Sequence, residues 1–411
     1  MQQVIVIGGG VIGLTSAWWL LEAGFGVTLV ERDMVGSGAS YANGGQLSYR
    51  YVAPFADRGV PLKAMQWLFQ RDGPLRFSLE ADTRQWRWLA QFLTHCRADA
   101  SRATTARLLA LGELSRQSLV QLEVVLPASE FAWREAGKLV VYRSRRVFDA
   151  TVARGGDDLG QVMSPAECVA LEPALAGARD MLAGGIYNSG EAVADCHAFC
   201  QAVLARLQAH PRFGGVVHTE VSGFIKTKGK ISGIQTGTGV LSADAFVLAA
   251  GIRSRDLAAT VGIRLPLYPI KGYSLTAPIR ATDLAPEISV TDFERKVLYA
   301  RIGDKLRVAA MADIVGENLR LDPERIAGLT AQVRNMMPHA ADYDNMTAWA
   351  GLRPATPSGA PIIGATPHSN LWLNVGQGGL GFTFACGSAR ILADLMSDRA
   401  SPIPLDGLTL G

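Results

Sequence analysis

The chain has 411 residues, 48% of them apolar and 19% charged, with a formal net charge of +3. Such a composition excludes intrinsic disorder and an ordinary nucleic-acid-binding tail, and the length suits about two or three domains around a large core. Five scattered cysteines (Cys96, Cys168, Cys196, Cys200 and Cys386) argue against a disulfide framework and for a reducing compartment.

Val4 to Ile7 is a short β-branched run that predicts a strand buried on both faces. Gly8-Gly9-Gly10-Val11-Ile12-Gly13 follows at once, then a helix-like stretch from Leu14 to Ala23 and a second strand, Val27 to Val30, ending at Glu31. Each part has a task. Gly8 permits the tight turn, Gly10 lets a diphosphate approach the backbone, and Gly13 lets helix and strand pack closely. The helix start offers N–H groups and a positive dipole end to the diphosphate, and Glu31 can accept from ribose hydroxyls. A bare GxGxxG is weak evidence, whereas this strand–turn–helix–strand–acid order predicts dinucleotide binding. The glycines at 8 to 10 also interrupt the first apolar run, and no basic segment precedes it, so neither a signal peptide nor a membrane span is expected there.

Beyond the acid, Gly36 to Ser40 and Ala42 to Gln46 form a small polar loop able to lie along a diphosphate and reach a flavin ring. Helical stretches at Thr83–Arg97 and Arg102–Val125 flank a strand-like Gly137–Tyr142, and Arg143–Arg146 reads as a solvated basic face. Cys196, His197 and Cys200 invite a metal reading, but they lack a second ligand pair and sit in helical patterning from Asp195 to Gln208. No metal is expected. Val221 to Val247 alternates like strands with a turn at Lys228–Lys230, and Phe246 to Gly251 is another buried strand ending in a glycine at Ala250-Gly251. Strands are expected at Leu265–Leu275 and at Lys296–Met311, the second bent at Gly303-Asp304, and a helix at Pro323–Met337. Near the C-terminus, Asn370–Val375 reads as a strand, and Gly376 to Gly381 precedes a helix from Phe382 to Met396. This second GxGxxG is followed by no strand ending in an acid, so it is not a second dinucleotide site. Its helix start can instead face a flavin and stabilise the anion formed on reduction. These features favour FAD over NAD.

The whole chain resembles the FAD-dependent D-amino-acid oxidase superfamily, and within it the small subunit of bacterial D-amino-acid dehydrogenases. The matching stretches are Ala42–Gln46, Gly59–Ala64, Tyr268–Leu275, Gly351–Pro354, Leu371–Gly376 and Leu380–Ser388. Gln377 departs from the pattern, which has His there. The resemblance implies an α/β plus α+β fold: a Rossmann-like FAD-binding domain of discontinuous segments (1–52, 188–262 and 343–411), and an inserted substrate domain (53–187 and 263–342) on a mostly antiparallel sheet. It implies oxidation of an amino acid at Cα, with hydride passing to the flavin and electrons then to a quinone or another acceptor than oxygen. The implied substrate is a D-amino acid or a cyclic imino acid. Peripheral inner-membrane attachment and partner subunits follow from the same likeness, on the cytoplasmic side, and no nucleic acid is implied.

Family position assigns the substrate carboxylate to Arg353, a guanidinium able to bind it bidentately. Tyr273 and Tyr299 are offered as phenol donors or pocket walls, and Tyr49 and Tyr51 as further lining. For the cofactor it assigns Gly8, Gly10, Val11, Ile12, Gly13, Glu31, Arg32, Ser40, Asn43, Gly44, Gly45, Gln46, Leu47, Val221, Ala250, Gly251, Gly378, Gly379, Leu380, Gly381 and Thr383. None of the six histidines falls in a motif. Competing readings are a D-proline or cis-4-hydroxy-D-proline dehydrogenase, a sarcosine-type secondary amine oxidase, an NAD(P)-dependent dehydrogenase, and a flavin-holding subunit with no substrate site of its own.

Overall fold

The first apolar run forms strand β1 (Gln3–Ile7), buried from Val4 onward. Helix α1 (Val11–Glu22) and strand β2 (Gly26–Glu31) complete a parallel βαβ unit. The computed structural model describes the chain except residues 51, 53–55, 57–72, 79 and 156–159. The stretch Gly59–Ala64 and Tyr51 therefore lie outside the described residues.

The chain continues through β3 (Gln46–Leu47), β4 (Leu75–Phe77), α2 (Thr83–His95), α3 (Ala98–Glu123), β5 (Lys138–Tyr142), α4 (Arg145–Arg154), β6 (Gln161–Met163) and α5 (Pro165–Leu171). Then come β7 (Gly184–Asn188), β8 (Ala192–Val193), α6 (Cys196–Ala209), β9 (Phe213–His218), β10 (Val221–Thr227), β11 (Lys230–Thr236), β12 (Gly239–Leu241), β13 (Ala245–Leu248) and α7 (Ser254–Ala259). The last third holds β14 (Tyr268–Pro278), β15 (Ser289–Asp292), β16 (Val297–Ile302), β17 (Lys305–Ile314), α8 (Pro323–Met336), β18 (Thr347–Ala355), β19 (Ile362–Ala365), β20 (Leu371–Val375) and α9 (Gly381–Met396).

Two sheets dominate. The first has the order β19-β20-β13-β1-β2-β9, parallel except for the β19–β20 hairpin, so it is assembled from sequence-distant pieces. The second runs β18-β14-β17-β16-β15-β5-β7-β6 with β4 beside β17, and only β15–β5 and β17–β4 are parallel. The expected mixture of a parallel nucleotide sheet and an inserted, mostly antiparallel sheet is present. The division expected at residue 343 does not follow sheet membership, because β18 pairs with β14 along its whole length. Helix α3, expected with the substrate half, packs instead in the core of the nucleotide half, where Leu108, Leu111 and Leu119 are buried with Leu14 and Phe384. Small residues make that contact possible. A Cβ on Gly387 of α9 would lie 2.8 Å from the backbone nitrogen of Ser115. On the other side of α9, the Thr15 hydroxyl of α1 donates to the carbonyl of Ala385.

Candidate active site

The turn after β1 is shaped by contacts that admit no side chain. Gly8 adopts φ +109°, in the left-handed region, and a Cβ there would lie 2.5 Å from the Ala249 carbonyl oxygen. A Cβ on Gly13 would lie 1.8 Å from the Gly8 oxygen, which is the close helix–strand approach expected of that position. Helix α1 begins at Gly10 with no side-chain cap from that residue and no acid in its first turn. Ser40 Oγ reaches across to accept from Val11 N at 3.0 Å. Glu31 accepts from Gly9 N at 2.6 Å and from Asp33 N at 2.9 Å, so the acid closes the turn as well as facing the cavity beside it.

That cavity, about 830 Å³, runs from the glycine turn to the face of the antiparallel sheet. Gly8, Gly10, Val11, Ile12, Glu31, Arg32, Ser40, Asn43, Gly44, Gly45 and Gln46 line it. Val221, Ala250, Gly251, Gly378, Gly379, Leu380 and Gly381 line it from the other strands, and Arg353 and Tyr273 from the sheet. Three assigned cofactor residues stand behind this wall. Gly13 is spent on packing, and Leu47 is buried in the core. Thr383 braces the loop, with its hydroxyl accepting from Ser48 N at 3.2 Å and donating to the Gln46 carbonyl at 3.4 Å.

The two remaining tyrosine assignments are corrected by placement. Tyr299 is 1% exposed in the core formed with Leu275, Val290 and Leu306, away from the cavity wall, because its place on β16 turns it to the face of the sheet that Tyr273 and Leu275 also occupy. Tyr49 is likewise buried among the helices of the nucleotide half. Gln377 lines the cavity, but its amide donates to Asn374 Oδ1 at 2.6 Å.

Arg353 is half-buried on β18 and lies flat across β14, where a Cβ on Gly272 would meet its Nη2 at 2.2 Å. Its Nη1 donates to the Met311 carbonyl at 2.7 Å. That carbonyl is aimed by a β-bulge: between the pairs Lys271–Asp313 and Tyr273–Ala310, Met311 and Ala312 together oppose Gly272. Met311 adopts φ +68°, a left-handed conformation that a non-glycine residue holds only when its surroundings impose it. Burial lowers the Arg353 pKa, and Asp313 opposes the shift. Its ordinary value is so high that the guanidinium stays charged. Tyr273, 2% exposed in the core that also holds Tyr299, is held protonated, its pKa raised first by burial and then by the Asp313 carboxylate beside its hydroxyl.

Behind these two residues is a network that sequence reasoning missed. Asp313, 1% exposed, pairs with Arg325, whose Nη1 also donates to the Gly73 carbonyl at 2.7 Å. Lys271 Nζ sits 4.8 Å from the Tyr273 ring centroid and donates to the Arg320 carbonyl. The flavin loop has its own unforeseen supports. Ser274 Oγ donates to the Ala42 carbonyl at 2.6 Å and Arg307 Nη1 to the Asn43 carbonyl at 2.8 Å. Lys138 Nζ donates to Gln46 Oε1 at 2.9 Å and Ser48 Oγ at 3.0 Å. No local motif announces any of them, since cross-strand register brings them together.

Comparison with known proteins shows the family and the fold. The family model described as FAD dependent oxidoreductase matches residues 3–395. The D-amino acid dehydrogenase 2 of Pseudomonas aeruginosa is 47% identical over 99% of this chain and 98% of its own length. The D-amino acid dehydrogenase of Vibrio cholerae is 38% identical over 100% and 98%. Among solved structures, glycine oxidase from Geobacillus kaustophilus superposes with a TM-score of 0.74 at 22% identity, covering 100% of this chain and 99% of that one. The L-proline dehydrogenase from P. horikoshii gives 0.73 at 17% identity, covering 99% and 96%.

Proposed function

The chain belongs to the FAD dependent oxidoreductase family, and from that premise we propose how its cavity oxidises a D-amino acid. The activity is FAD-dependent oxidative deamination of D-amino acids, as in relatives 38–47% identical over their full length.

FAD fits the residues present. A helix start without an acid in its first turn faces a turn where Gly8 and Gly13 admit no Cβ, which suits an anionic diphosphate, with Gly10, Val11 and Ile12 as its cradle and Ser40 at the Val11 amide. Glu31 would take the ribose, and Gly44 to Gln46 with Gly378 to Gly381 would take the ring. When bound, FAD supplies the acceptor for the hydride that leaves Cα.

The chain's own groups bind and orient the substrate. The observation that carries the reading is the Arg353 guanidinium, held across Gly272 by the Met311 carbonyl in the same cavity as the glycine turn. Arg353 binds the carboxylate bidentately and aims the α-hydrogen at the ring, while the Tyr273 phenol, engaged with Asp313 on the sheet's other face, backs the wall. No side chain need take a proton from Cα, because hydride transfer removes hydrogen and both electrons at once. Electrons then pass to a quinone or another acceptor than oxygen, a reading supported by kinship with proteins named dehydrogenases. No described helix is long and apolar enough to cross a membrane, so contact with a membrane quinone would be peripheral.

Anaerobic turnover of a panel of D- and L-amino acids, D-proline and sarcosine, with a quinone analogue or dye as acceptor, tests the reading. The expected result is reduction by D-amino acids without peroxide release in air. Turnover of L-enantiomers alone overturns the stereochemistry, and peroxide production at the dye-linked rate overturns the acceptor.

A further inference from the structure

Lys138 is 2% exposed, yet its ammonium is directed at the cofactor loop from behind. It stands on β5 between Ser289 on β15 and Asn188 on β7. Its bonds to Gln46 and Ser48 end on side chains that themselves line the cavity. The Gln46 amide is oriented by both neighbours, accepting from Lys138 and donating from Nε2 to Ser289 Oγ at 2.7 Å. Thr383 at the start of α9 locks the same loop. A buried lysine thus sits one hydrogen bond behind the loop expected to touch the flavin ring. The reaction assigned above does not use it.

We propose that Lys138 is a redox-linked proton acceptor, taking up a proton when the flavin in this cavity receives its electron pair. The proposal rests on the FAD reading above. Hydride brings two electrons and one proton, leaving the reduced flavin with a net negative charge. That charge, in a buried site, favours the ammonium form of Lys138, which gains its proton from water. The full change is two electrons and two protons, and both protons leave when the acceptor takes the electrons. The groups facing the amine set its starting point. Burial pulls its pKa down to about 7, with Lys296 from the β15–β16 turn acting in the same direction and Glu191 beside β8 opposing. Near neutrality the amine is therefore poised to respond to a new charge. Lys138 touches no reacting atom. It is a positioning and electrostatic residue.

The test is potentiometric titration of the bound flavin in the holoenzyme between pH 5.5 and 9, for wild type, Lys138→Met and Lys138→Arg. In wild type the protons taken up per electron pair should rise from one toward two as pH increases above about 7. Protonation of the reduced flavin itself steepens only the acid side. Both variants should stay at one proton above pH 7, with Lys138→Arg at the higher potential because its charge is permanent. A Lys138→Met enzyme with the wild-type slope overturns the proposal. If neither variant retains flavin, the wild-type curve decides alone, and one proton per pair throughout the alkaline range overturns it. A wild-type protein that binds no flavin would instead remove the FAD reading itself.

Discussion

The two halves of the cavity are built by different means. The nucleotide side is built from backbone: Gly8, Gly10 and Gly13 shape a turn, and a helix start offers N–H groups. The proposed substrate side is built from a side chain, Arg353, held by the Met311 carbonyl and backed across the sheet by Tyr273, Asp313, Arg325 and Lys271. A backbone site tolerates almost no added atom. A side-chain site tolerates crowding but fails when a charge loses its partner.

The sharpest way to break this contrast is Gly13→Ala, whose Cβ would lie 1.8 Å from the Gly8 oxygen. The expected outcome is loss of soluble, flavin-containing protein, at about 3 kcal/mol or more for overpacking a rigid contact. Normal yield with full flavin absorbance would refute it. On the substrate side, Asp313→Asn strands the Arg325 guanidinium, and breaking such a buried pair costs about 3–5 kcal/mol. Denaturant unfolding should show that loss, and a change below 1 kcal/mol would mean that Arg325 finds another anion.

Arg353→Met separates the halves more cleanly. Removing charge-assisted bonds worth ~3 kcal/mol should lower kcat/KM by about 10²-fold while flavin content stays at wild type. Unchanged turnover would leave the carboxylate without an anchor in this scheme. A milder version is Gly272→Ala, which pushes on Arg353 Nη2 without removing it. KM should rise about tenfold with little change in the flavin spectrum, and a fall in flavin content instead would show that the two halves are not independent.

The smallest effect is one of pH. An unfolded lysine titrates at roughly 10.4, whereas burial holds Lys138 at about 7, so above pH 7 the unfolded chain binds more protons than the folded one. Stability contributed by this residue must then rise with pH from about 7 toward 10. The gap between wild type and Lys138→Met should change in wild type's favour by at most ~1.4 kcal/mol per pH unit. Parallel unfolding curves at pH 7 and 9 would contradict it.

The same contrast explains what could be read in advance. Strand, glycine turn, helix and acid are contiguous, so residues 4–31 announced their geometry, down to the packing role of Gly13. The strand beginning near Leu371 and the helix after it were equally legible because apolar runs and glycines mark their limits. Arg353 was reached through family resemblance and not through periodicity. Its support from Met311 depends on a bulge in β17, which leaves no local signature. Tyr299 shows the reverse error. A tyrosine on the right sheet is still on the wrong face when strand alternation turns it inward. Lys138 could not be found at all from sequence, since its partners Gln46 and Ser48 lie about ninety positions away.

The interleaved strand order also sets a schedule for synthesis. Strand β20 fills the gap between β13 and β19, and α9 seals α1 through a contact spanning 370 positions. A ribosome therefore makes the first βαβ unit long before its neighbours exist. Throughout that interval the apolar strand β1 has an open edge where β13 will later pair, which leaves the nascent polypeptide exposed to misassociation. Loss of the final forty residues would remove β20, on which β19 depends, together with α9, and leave β13 as a bare edge.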